Sequence, residues 1–449
     1  VDISGASNGD VLKFNGTTWS AAVGGSYGKV GIANNDGFYT YYSTLQAAID
    51  AADLSGGGTV ELFTDIEETG AVEIVLKDGV NINLNGHTYT LNVATAENAF
   101  VNDVAVVECT IFNGTIKRIG GTANLASSLC FDLQSQTKIT FNGVNIINDA
   151  SGCLRCIAAN SEIIGGNFSS PYYTVNIGNN IVIKNIYSYS SGSRAIFMGS
   201  SEMYNCTGHS DGHYGIEVAG SGNAYNCTGS SSANIGFLAT SLGEFIHCIG
   251  QSDVNVGFAA DSTGGQIGCT GFSKTTYGIR GTYDIMNCNG YSEAGDGGIV
   301  YETATNCTFE STGTGRGVYI SSEGYLYNCY AKSAVNDAAY IDAFGGHIFN
   351  SVLEVLTPAQ YCIDVAALST HSFGQNTFKG ATIAVNPVAV NTQTNTTDSF
   401  GNLFLGVPFN IDNLLRVSYQ GSFFGLLNPF GLLAGLISIT MLIAHAGMW

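Results

Sequence analysis

Short apolar runs return at regular intervals through the middle of the chain. YGIEVAG, IGFLAT, VGFAAD, YGIRG, GGIVYE and RGVYISS follow one another between residues 214 and 322. Each is too short for an ordinary helix, and its period-two alternation and β-branched residues predict a brief strand. Polar stretches rich in Gly, Asn and Ser separate the runs and read as tight turns.

The turns carry a second pattern. Asn-Cys-Thr-Gly stands at Asn205–Gly208 and again at Asn226–Gly229. Cysteine recurs at Cys206, Cys227, Cys248, Cys269, Cys288, Cys307 and Cys329, with gaps of 21, 21, 21, 19, 19 and 22 residues. Serine follows each cysteine four residues on, from Ser210 to Ser333. Glycine follows nine residues on at Gly215, Gly236, Gly257 and Gly278, and ten on at Gly298 and Gly317. A period near 20 residues holding several short strands predicts a solenoid in which each repeat forms one coil. Equivalent residues then stack in ladders about 4.8 Å apart. Cysteine, small and apolar, suits an inward column, so the seven thiols are expected to be buried and structural rather than metal ligands.

The fold class is therefore all-β: a single-stranded right-handed parallel β-helix, expected over residues 60–395. GVNINLNGHTYTL at 79–91 reads as an early coil, and HSFGQNTFKGATI as a late one. Before the coils, YSTLQAAIDAA at 42–52 can place Leu45, Ala48 and Ile49 on one helical face, with Ser43 or Thr44 as cap. Residues 25–59 are read as a linker and this cap helix, which would cover the open end of the solenoid.

Three stretches carry family resemblances. TLQAAIDAADLSGGGTVELFTD, followed by VEIVLKDGVNINLNG, resembles the opening of pectate-lyase-like right-handed β-helices over residues 42–90. SNGDVLKFNGTTWSAA at 7–22 resembles a small β module of phage tail fibres and other virion appendages, so residues 1–24 are expected to form one. Residues 401–449 resemble an internal piece of cytochrome bd ubiquinol oxidase subunit II through GVPF, the LLNPF stretch and LLAGLIS. Within that piece, Phe423 to Trp449 is an apolar run without Asp, Glu, Lys or Arg. It predicts a helix that either crosses a membrane or is buried in an assembly. Residues 396–422 connect it to the coils.

Charge narrows the functions. The 449-residue chain carries a net charge of -20, which disfavours nucleic acid as a partner. No phosphate loop, dinucleotide fingerprint or nucleophile elbow is present, and no cofactor or metal is expected. His209 and His213 surround Asp211, but HSDGH is not a zinc signature.

The virion resemblance implies a tailspike or tail fibre, structural or receptor-binding, that displays its β-helix to a host surface glycan as a homotrimer. It implies a virion or extracellular location. Similar tailspikes cleave polysaccharide with paired acids, so depolymerisation is the enzymatic alternative. Its candidate acids are Asp211, Asp253, Glu293 and Asp296. Asp211 and Asp253 fall two coils apart in the column five residues after the cysteine. A third alternative is a bacterial surface protein anchored in the membrane through residues 423–449.

Overall fold

The computed structural model describes residues 11–14, 19–22, 28–34, 38–70, 73–93, 98–102, 107–121, 128–133, 137–157, 160–240, 242–261, 264–342, 345–366, 371–381 and 403–405. Among the described residues the chain is a parallel β-solenoid with one helix near its start. It divides into two compact units, Val1–Glu202 and Met203–Trp449.

In the first unit, Val11–Phe14 and Trp19–Ala22 form an antiparallel hairpin within the stretch that resembles the virion module. The stretch expected to be a linker contains two strands as well. Val30–Ala33 pairs antiparallel with Tyr39–Tyr42 on one side and with Gly58–Leu62 on the other. The helix runs Leu45–Leu54, with Thr44 as N-cap accepting from the Ala47 amide at 3.2 Å. Its inner face buries Leu45, Ala48, Ile49 and Ala52 completely. Gln46 imitates a further strand: its side chain accepts from the Val75 amide at 2.7 Å and donates to the Val75 carbonyl at 3.3 Å. That satisfies the exposed edge of Ile74–Leu76, as a cap must.

Parallel stacking follows. Ile74–Leu76, Phe100–Asn102, Phe131–Leu133, Leu154–Cys156, Val175–Ile177 and Ile196–Met198 lie in one ladder. Phe100 and Phe131 stack inside it with centroids 4.5 Å apart.

The second unit shows why the sequence repeats. A coil runs through Asn223–Tyr225, turns at Asn226, continues through Thr228–Ser231, turns again and closes with Phe237–Ala239. Each strand pairs in register with its counterpart in the next coil. Cys227 and its six counterparts are buried free thiols. Burial pushes the Cys248 and Cys269 thiols above the ordinary range.

Glycine pairs let the walls meet at the narrow end of the coil. A Cβ on Gly229 would lie 2.4 Å from the Gly236 carbonyl oxygen, and one on Gly250 would lie 2.1 Å from that of Gly257. The column continues through Gly278 to Gly297, since Gly298 pairs with Ile279. The glycine ten residues after Cys288 is therefore one position out of register. Stacking extends to Thr377–Lys379 and Leu403–Leu405. The helix expected over 423–449 lies outside the described residues. Among those residues, no helix is long and apolar enough to cross a membrane.

Candidate functional site

The outward face of one sheet in the second unit carries two side-chain columns. Strands Thr207–Ser210, Thr228–Ser231, Ile249–Ser252, Thr270–Ser273 and Asn289–Ser292 stack in register. This aligns His209, Ser230, Gln251, Phe272 and Tyr291, one per coil. Two residues on, backbone bonds from each coil to the next align Asp211, Ser232, Asp253, Lys274 and Glu293.

Buried serines hold the two columns at a fixed spacing. Ser273 Oγ donates to the Asn255 carbonyl of the preceding coil at 2.7 Å and accepts from the Thr276 amide at 2.9 Å. Ser252 does the same with Asn234 and Asn255, at 2.5 and 2.8 Å. Each serine therefore closes its own turn and fastens it to the neighbouring coil.

A cleft of about 280 Å³ opens between the columns. Gln251, Phe272 and Tyr291 line one side, and Asp253, Lys274 and Glu293 the other. The Phe272 and Tyr291 rings are stacked, 5.2 Å apart and 14° from parallel. Phe272 stays 41% exposed despite its apolar ring. Lys274 Nζ meets Asp253 Oδ1 at 2.7 Å. Asp253, by hydrogen bond and charge, raises the Lys274 ammonium pKa above the ordinary lysine value, and the charge of Glu293 adds to it. Beyond the cleft the column of Phe272 and Tyr291 continues as an alternating ladder, with Lys332 Nζ 2.7 Å from Glu310 and Lys379 3.9 Å from Glu354.

The four acids named from sequence go to three places. Asp253 and Glu293 share the cleft and flank Lys274, about 9.6 Å apart along the stack at the usual strand spacing. Asp211 stands outside the cleft, 3.0 Å from His209 Nε2. His209 Nδ1 in turn lies 2.8 Å from Ser230 Oγ. Asp296 sits past the tight turn, where Oδ1 accepts from the Arg316 amide at 2.7 Å. Burial raises the Asp296 carboxyl pKa, opposed by that amide and by the Arg316 charge. Asp296 thus joins a turn, and its nearness to Glu293 in sequence does not carry into the cleft. The aromatic pair and Ser230 were not singled out from sequence; only their place in the period could have found them. Among the described residues, no group of three or more His, Cys, Asp or Glu could hold a metal ion.

No family model matches the chain. Over 51 residues, 11% of its length, the chain is 57% identical to cytochrome bd-I ubiquinol oxidase subunit 2 of Escherichia coli K12. It matches a probable cytochrome oxidase subunit 2 of Haemophilus influenzae to the same extent. The chain spans 14% of the length of these curated relatives.

Among solved structures, the tailspike of E. coli bacteriophage HK620 in complex with pentasaccharide is 11% identical, covering 90% of this chain and 83% of that one, with a TM-score of 0.36. PfbA, a surface adhesin of Streptococcus pneumoniae, is 13% identical over 73% and 87%, with a TM-score of 0.30. A mannuronan C-5 epimerase A-module of Azotobacter vinelandii is 12% identical over 82% and 95%, with a TM-score of 0.25. The fold described above rests on the strand pairing of the chain itself.

Proposed function

We propose that this chain is a receptor-binding β-solenoid of a virion appendage that holds a host surface polysaccharide in the cleft around Phe272, Tyr291 and Lys274. The observation that carries the reading is the stacked aromatic pair facing an acid–lysine–acid row across one groove. A pyranose ring has an apolar C–H face and a rim of hydroxyls. The exposed apolar edge of the stacked pair meets the first. The carboxylates accept from the hydroxyls, and the ammonium donates to their oxygens. The coil repeat, about 4.8 Å, repeats these groups at close to the length of one hexose.

Binding is favoured over cleavage by what stands between the acids. An inverting pair needs an open gap for water and one protonated carboxyl. Here the Lys274 ammonium occupies the interval between Asp253 and Glu293. The virion assignment, with the homotrimer and extracellular location it implies, is supported by the resemblance of residues 7–22 to an appendage module.

Calorimetric titration with oligosaccharides from host surface polysaccharide tests the reading. Phe272→Ala and Tyr291→Ala are each expected to weaken binding about fivefold or more, at roughly 1–3 kcal/mol per stacked aromatic. Unchanged affinity in both variants would overturn the assignment of this cleft.

A further inference from the structure

Ser230, His209 and Asp211 are joined by two hydrogen bonds outside the cleft, one and two coils before Gln251. The register of Thr207–Ser210 with Thr228–Ser231 places Ser230 beside His209, one coil on. With its proton on Nε2, His209 donates to Asp211 Oδ1 at 3.0 Å and accepts the Ser230 hydroxyl at Nδ1 at 2.8 Å. Either ring nitrogen can act as base when the other carries the proton. Nucleophile, base and orienting carboxylate therefore lie within hydrogen-bond reach in the required order. Ser230 is half-buried, and His209 and Asp211 are 33% and 45% exposed, so a large substrate can reach them.

Position adds a second observation. In the next coil Ser230 stacks on Gln251, which lines the cleft. A chain of sugars extending one coil past Gln251 would lie over Ser230. The Gln251 side-chain amide stands one coil on in the same column, about 4.8 Å along the stack, as a donor for an oxyanion.

We propose that Ser230, His209 and Asp211 form a serine esterase site that removes O-acyl groups from the polysaccharide held in the adjoining cleft. This rests on the glycan-binding reading above. Ser230 Oγ attacks the ester carbonyl carbon and passes its proton to His209 Nδ1. The bond from that carbon to the sugar oxygen breaks, and His209 returns the proton to the departing alkoxide. Water then attacks the acyl-serine with His209 again as base, releasing the carboxylic acid and restoring the Ser230 hydroxyl. Asp211 stabilises the imidazolium in both steps. An ester suits the site better than an amide. Its leaving group departs more readily, and one side-chain donor is modest help for an oxyanion.

The test treats the full chain with a fluorophosphonate probe, and measures acetate released from p-nitrophenyl acetate and from an O-acetylated polysaccharide. The expected results are a probe adduct on Ser230 and acetate release that falls about 10³-fold in S230A and in H209A. D211N should lower kcat more than KM. Circular dichroism melting of S230A at the wild-type temperature separates this loss from misfolding. Absence of an adduct, or acetate release by S230A at the wild-type rate, would overturn the esterase and leave only a hydrogen-bonded tie between coils. Glycan binding without acetate release would overturn the esterase alone. Acetate release from the small ester, without affinity for any polysaccharide, would overturn the cleft's glycan reading and the polysaccharide substrate with it.

Discussion

The residue before each of the seven cysteines of the periodic column sits in the left-handed region, with φ of 53° at Asn205, 55° at Asn226, 54° at His247 and 54° at Asn287. Asparagine tolerates this conformation better than other residues with a Cβ, which is why Asn-Cys recurs in the sequence. Asn226→Ala should cost about 1–2 kcal/mol, read as a lower urea midpoint at unchanged slope. Asp296 makes a prediction of a different kind. Its raised pKa means that the folded chain keeps a proton the unfolded chain has released. Stability therefore falls as pH rises from the ordinary aspartate range through the folded value, and stays lower above it. Asp296→Asn keeps an oxygen for the Arg316 amide and removes the titration. Its melting temperature should match wild type near pH 4 and exceed it at pH 7. A variant that gains no stability relative to wild type between pH 4 and pH 7 would contradict the burial account.

The coil is the element that the sequence displays most openly. Its cysteine and serine columns repeat because each occupies a position with one demand: a small apolar group inward, or a hydroxyl that closes a turn. Asp253, Lys274 and Glu293 fall into one row for the same reason, and that row was legible before the structure. Other relations were not. Gly298 is misplaced by one because the coils vary between 19 and 22 residues, and the sequence does not say where a residue has been dropped. Asp296 follows Glu293 by three residues in the sequence, but a tight turn lies between them and Asp296 accepts from the Arg316 amide instead. The pairs Phe272–Tyr291 and His209–Ser230 arise only when neighbouring coils are brought into register. The antiparallel strands Val30–Ala33 and Tyr39–Tyr42 fall outside the period altogether. The glycine column gives the test at this scale. Gly236→Ala would set a methyl 2.2 Å from the Gln251 carbonyl oxygen and 2.3 Å from its nitrogen, both backbone atoms. It should destabilise by about 3 kcal/mol in denaturant melts. Gly265→Ala, with nothing within 4 Å of the added methyl, should stay within about 0.5 kcal/mol of wild type.

At the scale of the molecule, the net charge of -20 favours solubility and repels phosphate-rich polymers. It leaves neutral polysaccharide as a chemically compatible partner. The apolar segment at residues 423–449, read from sequence as an anchor or an assembly element, stands apart from that logic and from the described residues. Hydrogen exchange reads the groove of the second unit directly. With and without a saturating host-surface oligosaccharide, the account predicts added amide protection concentrated in Ile249–Ser252, Thr270–Ser273 and Asn289–Ser292 and in the turns that carry Asp253, Lys274 and Glu293. Protection centred on another face, with these strands unchanged while the sugar is bound, would contradict it.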